Sequence, residues 1–148
     1  VIGEIPLEGR VDAPIGRHPR QRTKMAVVPG GRPAISDYQR LALGQGCSLV
    51  SVRLQTGRTH QIRVHLTQLG FPLVGDPVYG GRSQLPSGLD AAMRAAIQGF
   101  PRQALHAKEL GLLHPATGAP LHFEAPMAMD MAELLATLGL SDGSRHAN

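Results

Sequence analysis

The stretch from Leu54 to Tyr79, LQTGRTHQIRVHLTQLGFPLVGDPVY, constrains the fold of this chain more than any other. A strand ending at Gln55 runs into the turn Thr56-Gly57-Arg58. The turn feeds a short helix from Thr59 to Leu69, which Gly70 closes. Ile62, Leu66 and Leu69 fall at i, i+4 and i+7, so they form one apolar stripe directed at a core. Arg63 lies about 100° round the helix from Ile62, on the shoulder of that stripe. A half-buried guanidinium is costly unless a carboxylate or phosphate meets it, so a partner is implied. The alternative is a surface arginine whose aliphatic stem lies along the core.

With 148 residues the chain can build one domain with a modest core. That core is aliphatic, because two Tyr, three Phe and no Trp leave little aromatic surface for packing or for stacking bases. The single cysteine, Cys47, stands in a strand-like run and excludes an internal disulfide or a cysteine metal cluster. It reads as a small core residue in a reducing compartment. No apolar run reaches the length of a membrane span and Val1 opens no signal peptide, so a cytoplasmic protein without membrane contact is expected. Net charge is only +4, but residues 10–63 carry ten Lys/Arg against Asp12 and Asp37, while the remainder carries five against nine. That separation suggests one side facing a polyanion.

Taken in order, Val1-Ile2-Gly3 reads as the end of a strand begun upstream, followed by a loop-rich passage with at most one short strand, Gly9 to Ala13. Gly16 to Lys24, GRHPRQRTK, places Arg17, Arg20, Arg22 and Lys24 together with no acid. The residues alone leave two readings open, a solvated loop or a phosphate-binding one. Met25 to Val28 and Ile35 to Leu43 read as two strands of a hairpin about the turn Pro29 to Pro33, with Cys47 to Gln55 completing an antiparallel meander. Asp76, before Pro77, is assigned to a turn. Gly81 to Gly88 is a polar loop, and Leu89 to Ile97 a helix ended by Gly99 and Pro101. Leu105 to Leu113 and Leu121 to Ala125 are strands, and Asp130 with Glu133 has capping-box spacing ahead of a last helix. Residues 1–140 form the domain and 141–148 a flexible tail. The class is α+β, a mixed, mainly antiparallel sheet with a few short helices.

Seven histidines raise the question of a metal. His60 and His65 point about 140° apart on a helix, and no HExxH or Cys/His pair is present, so no metal site is expected.

TGRTHQIRVH followed by GFPLVGDPVYGG resembles the third sequence motif of the RluA/RluD family of RNA pseudouridine synthases, without gaps from Gln55 to Gly80. GRHPRQRTKMAVVPGGRPA resembles the GRHP-x-x-RT-x-MAV segment of RluD-type members, and RQALHA and HP-x-x-G match later segments. The resemblance implies a pseudouridine synthase fold, isomerisation of uridine in large-subunit ribosomal RNA, and neither cofactor nor metal. It implies that Arg63 pairs with a catalytic aspartate, that Ile62 helps wall the base, and that Arg58 contacts phosphate or braces its turn. Beside it, Arg17, Arg20, Arg22 and Lys24 are assigned to RNA. The aspartate of the family stands in an upstream HRLD-x-x-T/S-G segment, and a tyrosine follows it; this chain has neither. It is therefore expected to be the C-terminal half of a catalytic domain, monomeric, carrying Arg63 without its partner and inactive alone. The alternatives are a non-catalytic RNA-binding module on the same scaffold and a purely structural domain.

Overall fold

The computed structural model describes residues 1–80 and 85–140; the expected tail and part of the expected polar loop lie outside them. Strands β1 (Glu8–Asp12), β2 (Ile15–Arg17), β3 (Met25–Val27), β4 (Ile35–Leu43) and β5 (Ser48–Leu54) come first. Helix α1 (Gln61–Gln68) and helix α2 (Ala91–Gly99) follow, then the hairpin β6 (Glu109–Leu113) and β7 (Pro120–Glu124), and finally helix α3 (Met129–Thr137). Among the described residues all strand pairing is antiparallel, in three sheets ordered β1-β4-β5, β2-β3 and β6-β7. The α+β class expected from the sequence holds.

The meander differs from its expected wiring. β4 and β5 form the hairpin about Gly44-Gln45-Gly46, with a bulge between Arg40 and Ala42. β3, however, pairs with β2 rather than with β4, and β1 takes the other side of β4. Two strands therefore stand where one was expected before the basic loop. The physical reason lies in Pro29 to Pro33. Gly30 turns with φ +76, and Arg32 exchanges two backbone bonds with Ile15 at 2.9 Å each, which ties the link to β2 and commits the edge of β3 to the same partner. β4 then starts afresh beyond Pro33.

Three apolar clusters hold these parts together. Cys47, Leu49, Val74, Ile97, Leu134 and Leu138 join β5 to α2 and α3. Ile5, Val11, Tyr38, Leu66 and Leu73 join the main sheet to α1. Ile15, Ala34 and Val64, with Met25, Val27 and Tyr79 against them, seat α1 on the small β2-β3 sheet. Cys47 is a buried free thiol, as expected. Both faces of the β6-β7 hairpin are open, with Leu110, Leu113 and Phe123 more than half exposed.

α1 is shorter than its periodicity suggests, and Leu69 at its end is 38% exposed rather than part of a buried stripe. Its first turn and a half is instead largely enclosed: Gln61, Arg63, Val64, His65 and Leu66 are buried and Ile62 half-buried. Three of the five buried residues are polar, so the helix must satisfy them internally. Gln61 donates from Nε2 to the Ile35 carbonyl (2.9 Å) and to Ser36 Oγ (3.0 Å), and its Oε1 accepts from Thr56 Oγ1 and the Arg58 amide. His65 lies between Ser36 Oγ (2.8 Å) and the Ala13 carbonyl (2.9 Å). A carbonyl can only accept, so Nε2–H donates to Ala13 and Nδ1 accepts from Ser36.

The other departures follow the same principle. α3 is capped by Ala128 without a side-chain bond, because Asp130 stands inside the first turn, where its carboxylate accepts the Met131 amide (2.7 Å) and the fork of Arg102, at 2.9 and 2.7 Å. α2 does have a side-chain cap: Asp90 accepts from the Met93 amide at 2.8 Å.

After α1 the chain turns at Gly75, φ +69, where a Cβ would run into the Arg102 carbonyl oxygen and approach the Phe100 ring. Gly75→Ala combines left-handed strain with overpacking and should cost about 3 kcal/mol or more in unfolding free energy. Gly88, at φ +85 in open space, is the control: Gly88→Ala should cost only about 1–2 kcal/mol. Chemical denaturation of the two variants checks the difference.

Candidate active site around Arg63

Arg63 is 8% exposed, on the side of α1 that faces the turn Asp76 to Gly80. Its Nε donates to Asp76 Oδ2 at 2.8 Å and its Nη2 to Asp76 Oδ1 at 2.9 Å, a two-pronged ion pair. The implied partner is thus within the chain, which corrects the expectation that Arg63 stands here unpaired. The assignment of Asp76 to a turn is also right, because the same carboxylate accepts the amides of Val78 (2.9 Å) and Tyr79 (3.0 Å). A carboxylate offers about four lone-pair directions, enough for the turn and the arginine together. Burial pushes the Asp76 carboxyl up. The Arg63 fork, the two amides and the Arg63 charge together outweigh it and hold the group below its ordinary value of 3.8. The stability this contributes is fully present above that ordinary value and is lost as pH falls through the lowered folded-state value.

The Tyr79 ring lies against the guanidinium, 4.9 Å from its centroid to Cζ, a cation–π contact in a poorly hydrated place. Tyr79 is itself fixed. Its hydroxyl accepts the Met25 amide at 2.9 Å and lies 2.8 Å from His60 Nδ1. Burial, and then the Arg63 charge, lower the His60 pKa and so favour the neutral ring, whose Nδ1 accepts a hydrogen bond from the tyrosine hydroxyl. His60 is the sole non-glycine residue with positive φ among the described residues, at φ 57 and ψ 21. A left-handed conformation costs a β-carbon residue about 1–2 kcal/mol. The tyrosine bond and the Val64 amide on the His60 carbonyl (2.9 Å) help offset that strain.

The other candidate residues do not all converge here. Lys24 is half-buried and donates to the Val78 carbonyl at 3.0 Å, so it anchors the Asp76 turn. Arg17, Arg20 and Arg22 are exposed on a loop closed by its own bonds: Arg17 Nη1 reaches the Arg22 carbonyl (3.1 Å), and His18 Nδ1 accepts the Arg20 and Gln21 amides. Arg58 braces two links, with its Nε on the Pro33 carbonyl at 3.0 Å. Ile62 points away from Arg63, into the cluster of Ile5, Val11, Leu66 and Leu73. Sequence reasoning missed His60, Tyr79 and the pairing role of Asp76. The signal was present in HQIRVH, whose polar residues are too many for an exposed face beside so short an apolar stripe. Among the described residues no group of His, Cys, Asp and Glu could hold a metal ion, and no helix is long and apolar enough to cross a membrane.

Because the pair is closed within the chain, Arg63→Met and Asp76→Asn should each destabilise it by about 3–5 kcal/mol, leaving the other partner buried and unpaired. An arginine without a partner would instead gain from the apolar isostere. Asp76→Asn should be the more costly, since it also weakens the turn. Equilibrium unfolding of the two single variants and the double variant checks this; the double should cost clearly less than the sum.

The RNA pseudouridylate synthase family model matches residues 1–68. Curated proteins named ribosomal large subunit pseudouridine synthase D match nearly the whole chain. That of Pseudomonas aeruginosa is 51% identical over 138 residues, covering 93% of this chain and 43% of its own length. That of Nitrosomonas europaea is 53% identical over 135 residues, covering 91% of this chain and 38% of its own. The chain therefore spans about two fifths of the length of these relatives. Among solved structures, human RNA pseudouridylate synthase domain containing 1 superposes with a TM-score of 0.70 at 26% identity, over 92% of this chain and 55% of that one. Sequence and fold agree: over nine tenths of its length the chain is similar to RNA pseudouridine synthases.

Proposed function

We propose that this chain is the arginine-bearing part of an RNA pseudouridine synthase that isomerises uridine in large-subunit ribosomal RNA, in the cytoplasm and as a monomer. The observation that carries the reading is identity near one half, over nine tenths of the chain, to proteins named ribosomal large subunit pseudouridine synthase D. The geometry of Arg63 supports it. The reaction detaches uracil from its ribose carbon and reattaches it through carbon, after the base has left its stack. It needs an ionised aspartate inside a drying pocket, and an opposite charge at contact distance keeps a carboxylate ionised. Arg63 uses Nε and Nη2 on Asp76, and Nη1 has no bond to any described residue. That free edge is the one that would meet the aspartate of an HRLD-type segment. Ile62, on the core side of α1, would then shape the pocket through packing, and Arg58 through its turn. No cofactor or metal enters the reaction.

The exposed Arg17, Arg20 and Arg22 are the proposed phosphate contacts, with Lys24 holding their loop to the Asp76 turn. Replacing two of the three arginines should weaken RNA binding and reduce the log–log salt slope by about 0.7–0.9 per lost contact. Filter binding over a salt series checks it, and an unchanged slope would make the loop merely solvated.

The decisive assay is conversion of uridine in ribosomal RNA. The 148-residue chain should convert none, since no HRLD-type aspartate is present among its residues. A longer protein that includes such a segment should turn over without added metal or cofactor. Turnover by the chain alone contradicts the assignment of the reaction to that aspartate. RNA binding without turnover in the longer protein favours the alternative, a non-catalytic RNA-binding module.

A further inference from the structure

We infer that Asp76 and Tyr79 are the positioning residues of Arg63, forming a socket that grips the guanidinium by one edge and one face and presents Nη1 to an anionic group of the reacting site. The inference rests on the synthase reading for what meets Nη1, but the socket itself is a matter of geometry.

An arginine side chain loses up to about 2 kcal/mol of rotamer freedom when fixed, and a loosely held one meets a second anion in many poses. Here the fixing is done before any second anion arrives. The Asp76 fork sets the plane of the guanidinium through Nε and Nη2. The Tyr79 ring sets the face, at 4.9 Å. What remains for a partner is the Nη1 edge.

The socket is itself held from three directions. The carboxylate of Asp76 is locked by the Val78 and Tyr79 amides, so it cannot swing away from the arginine without opening its own turn. The Tyr79 hydroxyl is shared between the start of β3, through the Met25 amide, and the entry to α1, through His60. The Val78 carbonyl is held by Lys24. Two successive residues of the chain, Lys24 and Met25, therefore anchor two successive residues of the turn, Val78 and Tyr79. The strained His60 is explained in the same terms: its backbone starts α1 in the conformation that brings Nδ1 to the tyrosine hydroxyl. In this account Tyr79 and Asp76 act on the reaction only through Arg63.

Two experiments decide the matter, and they fail separately. In this chain, nitrogen-15 NMR of the arginine side chains should show slowed rotation about the Arg63 Nε–Cζ bond, with two resolved Nη signals. Tyr79→Leu, which removes both ring and hydroxyl, should merge them, and Tyr79→Phe, which keeps the ring and is the safer variant for folding, should broaden them. Resolved signals in a folded Tyr79→Leu chain, or one averaged signal in the unsubstituted chain, overturn the socket. In the longer protein carrying an HRLD-type segment, Tyr79→Phe should lower kcat about threefold to tenfold and Tyr79→Leu more, with KM for RNA changed less than about twofold. Unchanged kcat in a folded Tyr79→Leu enzyme, or a loss confined to KM, overturns the positioning role. If the unsubstituted longer protein shows no turnover, the synthase reading fails, and the NMR arm still decides whether the socket exists.

Discussion

The Arg63–Asp76 ion pair is the interaction on which the rest of this site depends. A guanidinium 8% exposed on a helix is affordable only if its charge and donors are matched on the spot. The match comes from a residue thirteen positions later, across the end of α1 and the turn that follows. The pair thereby fixes where the chain goes after the helix. Val74 and Leu73 are pulled into two different apolar clusters, Gly75 passes under the Arg102 carbonyl, and Asp76 opens a turn whose amides it holds itself. Packing and electrostatics are not separate accounts here, since the burial that makes the pair costly is also what keeps water from screening it.

α1 repeats this logic along its buried length. Gln61 and His65 are as enclosed as any leucine of the helix, and each has all its polar atoms matched: Gln61 by β4 and the Thr56 turn, His65 by Ser36 and the link after β1. Ser36 joins the two, accepting from Gln61 and donating to His65. Among buried side-chain polar atoms of the described residues, only Thr67 Oγ1 lacks a partner. A helix whose interior contacts are this polar has one acceptable register. Sliding it by a residue would strand several donors at about 1–3 kcal/mol each. Such specificity suits an element that must deliver one charged side chain to one place.

Much of this was legible in the sequence, for physical reasons that differ by element. The β4-β5 hairpin followed from the glycine turn at Gly44-Gln45-Gly46 and the alternation of Cys47 to Gln55, and α2 from helical spacing ended by Gly99 and Pro101, although its Asp90 cap starts it two residues later than the spacing suggested. The need of Arg63 for a partner followed from its place beside the apolar stripe. What the sequence could not rank was competition between partners. Asp130 has the spacing of a cap, yet it stands inside α3 and holds the fork of Arg102 as well as the Met131 amide. Met25 to Val28 and Ile35 to Leu43 look like neighbours, yet Arg32 bonds to Ile15 and β3 pairs with β2. Asp76 was assigned to one job because its local chemistry sufficed to explain it. Local motifs state what a side chain can do, and long-range geometry decides how many such jobs it does at once.

Asp76 is a buried carboxylate kept ionised by Arg63 and the two amides of its turn. Carbon-13 NMR titration of the Asp76 carboxyl in this chain tests that claim most directly. The signal should stay that of the ionised form down through the ordinary value of 3.8 and protonate below it. In a folded Arg63→Met chain the same carboxyl should instead titrate above that value, since burial would then act with much less to oppose it. Titration at or above the ordinary value in the unsubstituted chain, or no change on removing Arg63, would contradict the account.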